Sequence, residues 1–203
     1  MKAVIVAAER QSKEVSNLVA YIKDLDGTEV VVIPAIDETD EYPARNNYAF
    51  HQAAQIMAGE PFFWLEPDSI PLNAGWLKDI EKEYRFCCKE FMLSSDQNPP
   101  HDMIGGIGVY GPRTHEIIPK RIDGDMKGHG WDLWMFRKIP NMIHWSPLIQ
   151  HSYGVYDNNG KAEPHRFPQN ISIIRRESVI FHRDKYQDII NYKLLCAKNH
   201  PKQ

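Results

Sequence analysis

The chain has 203 residues, a mass of 23.5 kDa and a formal charge of −3, from 24 Lys+Arg against 27 Asp+Glu, with 42% hydrophobic residues. A chain of this length buries roughly 70% of its unfolded surface and holds a core without staples, which fits one soluble domain. Cys87, Cys88 and Cys196 show no CxxC spacing for zinc or redox work and cannot pair completely, and the apolar run 3–8 is too short for a signal core or a membrane span; a cytoplasmic protein without membrane contact is expected.

The total charge conceals a division. Residues 1–100 carry 9 Lys+Arg against 17 Asp+Glu, net −8; residues 101–203 carry 15 against 10, net +5, and eight of the nine histidines. Uneven solvated faces produce such asymmetry, and so do halves that handle ligands of opposite charge. No repeat, low-complexity tract or Gly/Ser linker separates them.

Residues 2–8 (KAVIVAA) form a β-branched apolar run of buried-strand type, and 11–25 follow with Val15, Leu18, Val19 and Ile22 at helical spacing. Asp26-Gly27 ends that helix. A second strand is predicted over 29–36, a helix over 44–58 with Ala49, Ala53, Ile56 and Met57 inward, and a third strand over 62–65 (FFWL) after the stop Gly59-Glu60-Pro61. This βαβαβ beginning implies a parallel sheet with covering helices. Beyond residue 70 the pattern loosens: a helix within 72–85, strands over 91–95, 103–110, 141–149 and 171–182, and a closing helix over 183–195. A regular first half and an irregular, polar-aromatic second half suggest a cofactor side and a substrate side within one domain.

Glu66 and Asp68 close the third strand in the run PFFWLEPDSIPLNAGW. The C-terminal end of a central parallel strand opens on the ligand crevice of such sheets, and two carboxylates there suit a hard divalent cation that also holds a diphosphate. The same acids also suit a solvated loop.

The hydrophobic strand, the acid-x-acid pair, the IPL that follows and the Gly-Trp start of a helix resemble the strand-end DxD or ExD signature of GT-A fold glycosyltransferases. The resemblance implies a Rossmann-related three-layer α/β/α domain with a mixed central sheet, residues 1–100 forming a nucleotide-sugar half and 101–203 an acceptor half. It implies Mn²⁺ or Mg²⁺ and a UDP-sugar as donor. By position, Ala7, Ala8, Glu9 and Arg10 would hold the nucleoside, Asp37 the base, and Arg45 the diphosphate. Gly105 and Gly106 would let donor and acceptor approach the backbone.

Two further segments take part. In GHGWDLW (128–134), Asp132 begins a helix and matches an acid that faces the acceptor in this family; as general base it would take the acceptor proton, although helix starts favour carboxylates in any case. Trp131 and Trp134 would be a sugar or base platform, or core. In SVIFHRDK (178–185), His182 and Lys185 resemble the C-terminal HxxGxxK-type segment, the histidine completing a metal site and the lysine meeting the diphosphate; a strand-end histidine is otherwise a hydrogen-bonded structural residue.

These readings imply transfer of a sugar from a nucleoside diphosphate to a hydroxyl through an oxocarbenium-like transition state. Asp132 as base fits inversion, and the His-Lys ending resembles retaining relatives. The acceptor is a saccharide or a hydroxymethylated DNA base of the kind modified by phage enzymes, for which the basic second half would supply phosphate contacts. The competing classes are a metal-dependent nuclease and a non-catalytic nucleotide-binding module.

Overall fold

A computed structural model describes residues 1–35, 43–94, 106–124, 127–151, 155–156, 162–163 and 174–182. Strand β1 (Lys2–Ala7) leads through a 3-10 turn (Glu9–Gln11) to α1 (Ser12–Asp26), β2 (Val30–Pro34), α2 (Ala44–Ile56) and β3 (Phe62–Trp64). Both β2 and β3 pair with β1 in parallel, so the βαβαβ beginning holds. Gly27, in the left-handed region at φ 77°, ends α1 by donating its N–H to the Lys23 carbonyl at 2.9 Å. The chain continues through β4 (Ser69–Pro71), α3 (Trp76–Cys87), β5 (Phe91–Ser94), β6 (Gly108–Tyr110), α4 (Thr114–Ile117), α5 (Trp131–Lys138), β7 (Ile143–Ser146), β8 (Ile149–His151), β9 (Val155–Tyr156), β10 (Ala162–Glu163) and β11 (Ile180–His182).

The main sheet has the order β2-β1-β3-β6-β5-β7 and is mixed, because β6 runs antiparallel to both its neighbours. Side chains alternate across β3. Phe62 and Trp64 meet Phe50 of α2 on one face, with centroids 6.4 and 5.4 Å apart, and Phe63 meets Trp76 of α3 on the other at 5.4 Å. Helices therefore cover both faces, in three layers. A second sheet, β4-β11-β8, is reached twice from the first, once from β3 into β4 and once from β7 into β8. None of the described helices is long and apolar enough to cross a membrane.

Several predicted elements change. The strand expected over 141–149 is a 3-10 turn (Pro140–Met142) and two strands in different sheets, because Pro147 has no N–H for a ladder and Ser146 Oγ accepts the Leu148 N–H at 3.1 Å to turn the chain. Of the strand expected over 171–182, residues 171–173 lie outside the described residues, and the described part is a strand only at Ile180–His182; Ser178 N–H donates to the Arg175 carbonyl at 3.2 Å and makes a turn before it. In α2 the buried residues are Asn47, Phe50, His51, Ala53 and Ala54, with Met57 buried just beyond its end and Ala49 packed against the core; of the expected inward residues only Ile56, 58% exposed, points away. The strand expected over 103–110 is seen at Gly108–Tyr110, and residues 103–105 lie outside the described residues, as does the predicted helix over 183–195.

Gly108 is where β6 fits between its neighbours. A Cβ there would run into the Met92 carbonyl oxygen and lie 2.6 Å from Leu93 Cδ2. Gly108→Ala is expected to cost roughly 1–3 kcal/mol by overpacking, which lowers Tm by about 2–4 °C per kcal/mol in a chain of this size. Thermal unfolding by circular dichroism checks it; an unchanged Tm would contradict the packing of β6 against β5.

Candidate active site

The last residues of β3 set the site. Leu65 N–H extends the ladder to the Val4 carbonyl at 2.8 Å, and the chain then reverses over Glu66–Ser69 in a turn closed twice. Ser69 N–H donates to the Glu66 carbonyl at 2.9 Å, and Glu66 N–H donates to Ser69 Oγ at 3.1 Å. Pro67, with φ fixed by its ring, sits between the two acids. The turn delivers the chain into β4, which pairs antiparallel with β11 and sets His182 opposite Ser69. This register brings His182 Nε2 to 3.1 Å from Asp68 Oδ1 and 3.1 Å from Glu66 Oε2, across 114 residues.

Burial of the His182 ring works against its charge, but the adjacent carboxylates of Asp68 and Glu66 outweigh it and hold the imidazolium up to about 9. One ligand atom from each of the three residues lies within 4.8 Å of the others. Two carboxylate oxygens and one imidazole nitrogen suit a divalent cation that keeps open positions for substrate oxygens, and an anionic cleft that already stabilises a cation in the form of a proton suits one electrostatically. The residues present fit the metal that the sequence implies.

Asp132 lies close enough to interact electrostatically with Glu66 and His182. It is the second residue of α5, its Oδ1 accepts the Leu133 N–H at 2.9 Å, and it is half-buried. Desolvation raises its pKa to about 6; the Glu66 charge adds to that, while the Leu133 N–H and the His182 charge oppose it. The start of α5 is held by Asn47 of α2, which is buried. Asn47 Oδ1 accepts the Trp131 N–H at 2.9 Å, and its Nδ2 donates to the His129 carbonyl at 3.1 Å. Trp131 is 5% exposed, stacked flat on Phe50 at 4.5 Å with the edge of Trp64 at 5.8 Å. It is therefore a core residue and not an open platform for a sugar. Its Nε1–H donates to Tyr110 Oη at 3.0 Å, and the Tyr110 hydroxyl donates to the Gly106 carbonyl. A Cβ on Gly106 would lie 2.8 Å from Trp131 Cζ2 and 3.4 Å from Glu66 Oε1, so Gly106 is the seam between the strand-end acid and the Trp131-Asp132 corner.

Asn47→Ala leaves the Trp131 N–H and the His129 carbonyl without this partner. It is expected to cost about 1–3 kcal/mol and to lower turnover further by loosening Asp132; denaturant unfolding together with steady-state rates checks both parts.

The other predicted residues are placed as follows. Ala7 and Ala8 lie at the C-terminal end of β1, next to that of β3, and Ala8 is buried while Glu9 is exposed. Arg10 lies in the 3-10 turn after them, and Arg45 is half-buried in the first turn of α2, two residues before Asn47. Asp37, Gly105 and Lys185 lie outside the described residues. The structure thus brings Glu66, Asp68 and His182 together, with Gly106, Trp131 and Asp132 along one flank. Sequence reasoning missed Asn47, Tyr110 and His151. The signal for Asn47 was a small amide spaced three and seven residues before Phe50 and Ala54; the signal for His151 was a second apolar strand ending, like β11, in histidine.

No protein-family model matches the chain, and no curated protein matches it. Solved structures do. A glycosyltransferase involved in the glycosylation of the major capsid of PBCV-1 is similar with a TM-score of 0.57 over 93% of this chain and 100% of that one, at 14% identity. An active-site mutant of LgtC is similar with a TM-score of 0.51 over 90% and 86% of the two chains, at 8% identity. The galactosyltransferase LgtC in complex with donor and acceptor sugar analogues is similar with a TM-score of 0.50 at 9% identity over the same shares. At these identities the likeness is one of architecture, and it agrees with the mixed sheet, the covering helices and the acids at the end of β3: this chain has the GT-A glycosyltransferase fold.

Proposed function

We propose that this protein is a metal-dependent glycosyltransferase that moves a sugar from a nucleoside diphosphate, UDP in our reading, to a saccharide hydroxyl. The observation that carries the reading is the meeting of Glu66, Asp68 and His182 at the C-terminal end of β3, where α/β sheets bind ligands, with the half-buried Asp132 beside them. Support for a saccharide acceptor comes from LgtC, a neighbour of the same fold solved with donor and acceptor sugar analogues.

Glu66, Asp68 and His182 would hold the metal. One imidazole nitrogen among oxygen ligands favours Mn²⁺ over Mg²⁺, which takes oxygen almost exclusively. When bound, that ion neutralises charge on the departing diphosphate. The remaining work falls to the chain. Ala8, Glu9, Arg10 and Asp37 hold the nucleoside, Arg45 and Lys185 meet the diphosphate, and Gly105 and Gly106 let the donor sugar lie against the backbone. Asp132 takes the acceptor proton as the new bond forms; a base with pKa about 6 is ionised at neutral pH and still strong enough to accept that proton. Trp131 and Asn47 keep Asp132 in place.

A thermal-shift screen of nucleotide sugars with Mn²⁺ and with Mg²⁺ tests the donor, since a ligand at 100 times its Kd adds roughly 2.7 kcal/mol to stability. UDP release is then measured with free saccharides and with duplex DNA containing hydroxymethylated pyrimidines. Stabilisation by a UDP-sugar with Mn²⁺ and release of UDP on adding a saccharide are expected. No shift with any nucleotide sugar, or degradation of DNA with Mg²⁺ and no sugar donor, would overturn the reading.

A further inference from the structure

We propose that His151, a residue without a place in the reading above, is the positioning residue of the metal site: it accepts a hydrogen bond from His182 Nδ1–H and so leaves His182 Nε2 as the ligating atom. The inference rests on the proposed metal reading and specifies which protons its histidines carry.

The backbone creates the pair. Strands β8 and β11 are parallel, and their register sets His151 level with His182 at the two strand ends. Both rings are buried, at 7% and 4% exposure, with centroids 4.4 Å apart and planes at 66°. Their Nδ1 atoms are 2.6 Å apart. Two ring nitrogens at that distance need one proton between them, so one donates and the other accepts. His182 Nε2, on the opposite side of its ring, faces Asp68 Oδ1 and Glu66 Oε2, both at 3.1 Å.

A metal held at Nε2 decides the direction. A nitrogen that ligates a metal presents its lone pair, and a neutral imidazole then keeps its one proton on the other nitrogen. With Nε2 ligating the metal, the His182 proton stays on Nδ1, His151 Nδ1 supplies the lone pair, and the proton of His151 sits on its Nε2. The reverse arrangement, with His151 donating, would force the His182 proton onto Nε2 and aim it into the space between Glu66 and Asp68. The same bond holds the ring against rotation, and such outer partners of ligating histidines fix both tautomer and orientation.

Three versions of the full chain test this: wild type, His151→Phe, which keeps a ring and removes the acceptor, and His151→Asn, whose Oδ1 is bonded to Cγ as Nδ1 is in histidine and can accept from the same place. Mn²⁺ is titrated into each and followed by electron paramagnetic resonance, alongside the Mn²⁺ dependence of UDP release. His151→Phe is expected to weaken Mn²⁺ binding about 10–100-fold, to raise the Mn²⁺ concentration for half-maximal rate in proportion, and to leave kcat at saturating Mn²⁺ much less affected. His151→Asn should recover most of the affinity. Equal Mn²⁺ affinity in wild type and the Phe variant overturns this inference alone; no Mn²⁺ binding by wild type overturns the metal reading and this inference with it.

A second measurement needs no substitution and stands if the Phe variant does not fold. Long-range ¹H–¹⁵N spectra of the wild-type protein loaded with Zn²⁺, a diamagnetic ion that takes imidazole nitrogen, are expected to show His182 protonated at Nδ1 and His151 at Nε2. A His182 ring protonated at Nε2 in that state overturns the proposal.

Discussion

Replacing Asp68 with asparagine is expected to reduce UDP release by roughly a thousandfold or more, the scale of losing several kcal/mol of charge stabilisation on a leaving diphosphate. The substitution keeps the side-chain shape and so leaves the turn from β3 into β4, closed by Glu66 and Ser69, undisturbed. What it removes is one of the two charges facing His182 Nε2. Two consequences follow with opposite signs. The cation-holding field weakens, so the Mn²⁺ requirement moves to higher concentration. The His182 pKa also falls from about 9, because Asp68 contributes both charge and a hydrogen bond to the imidazolium. In the wild-type protein a metal must displace the His182 proton, so Mn²⁺ affinity is expected to rise by up to about tenfold per pH unit below 9; in Asp68→Asn that dependence is shallower. The metal-free protein carries the converse signature. His182 has a higher pKa folded than unfolded, so its stabilising contribution is complete below 6.5 and is lost as pH rises through about 9. Calorimetric Mn²⁺ titrations at pH 6.5, 7.5 and 8.5 with rates at each pH read all of this. Turnover within tenfold of wild type at saturating Mn²⁺ would remove Asp68 from the site.

The parts legible in the sequence are those where a long apolar run carries its own period. The strand at the N-terminus, the helix with Val15, Leu18 and Ile22 inward and the strand before Glu66 all stand where periodicity put them, since burial on both faces of a parallel sheet demands continuous apolar residues. Glu66, Asp68 and His182 are each legible separately, as polar residues that abruptly end an apolar run. Their meeting is not. It depends on β4, β8 and β11, strands of three residues that have no measurable period; β4 and β11 pair across more than a hundred positions, and β8 and β11 across about thirty. Trp131 shows the opposite failure: an aromatic residue next to an acid at a helix start looks like a ligand platform, and only the position of Phe50, stacked on it at 4.5 Å, makes it core. Asn47 and Tyr110 act by hydrogen bonds to residues 84 and 21 positions away, respectively, and local pattern has no access to such partners. The cluster at the end of β3 draws on both halves of the chain: the acidic half supplies Glu66 and Asp68, and the basic half supplies the histidine between them and the further acid Asp132.

Asp132→Asn is expected to lower kcat by about 10²–10⁴, the range for loss of a positioned base, while making the protein more stable at neutral pH. The two effects share one cause. Desolvation lifts the Asp132 carboxyl from an ordinary 3.8 to about 6, so its charged form is favoured more in the unfolded chain than in the folded one. The sign is the reverse of a salt-bridged carboxylate: stability is full below 3.8, declines as pH rises to about 6, and stays reduced above it. The difference corresponds to at most about 3 kcal/mol, and the metal-free asparagine variant is expected to recover part of that at pH 7.5, since its Oδ1 can still accept the Leu133 N–H. At 2–4 °C per kcal/mol the gain in Tm is several degrees. Activity of the wild-type enzyme should fall about tenfold per pH unit below 6 as the carboxylate is protonated, and Mn²⁺ affinity at pH 7.5 should be nearly unchanged in the variant because Asp132 is not among the three ligands. The combination separates a base from a merely structural acid. A helix-capping carboxylate would lose stability on substitution and leave kcat near wild type, so a destabilised variant with normal turnover would assign Asp132 to the start of α5 and nothing more.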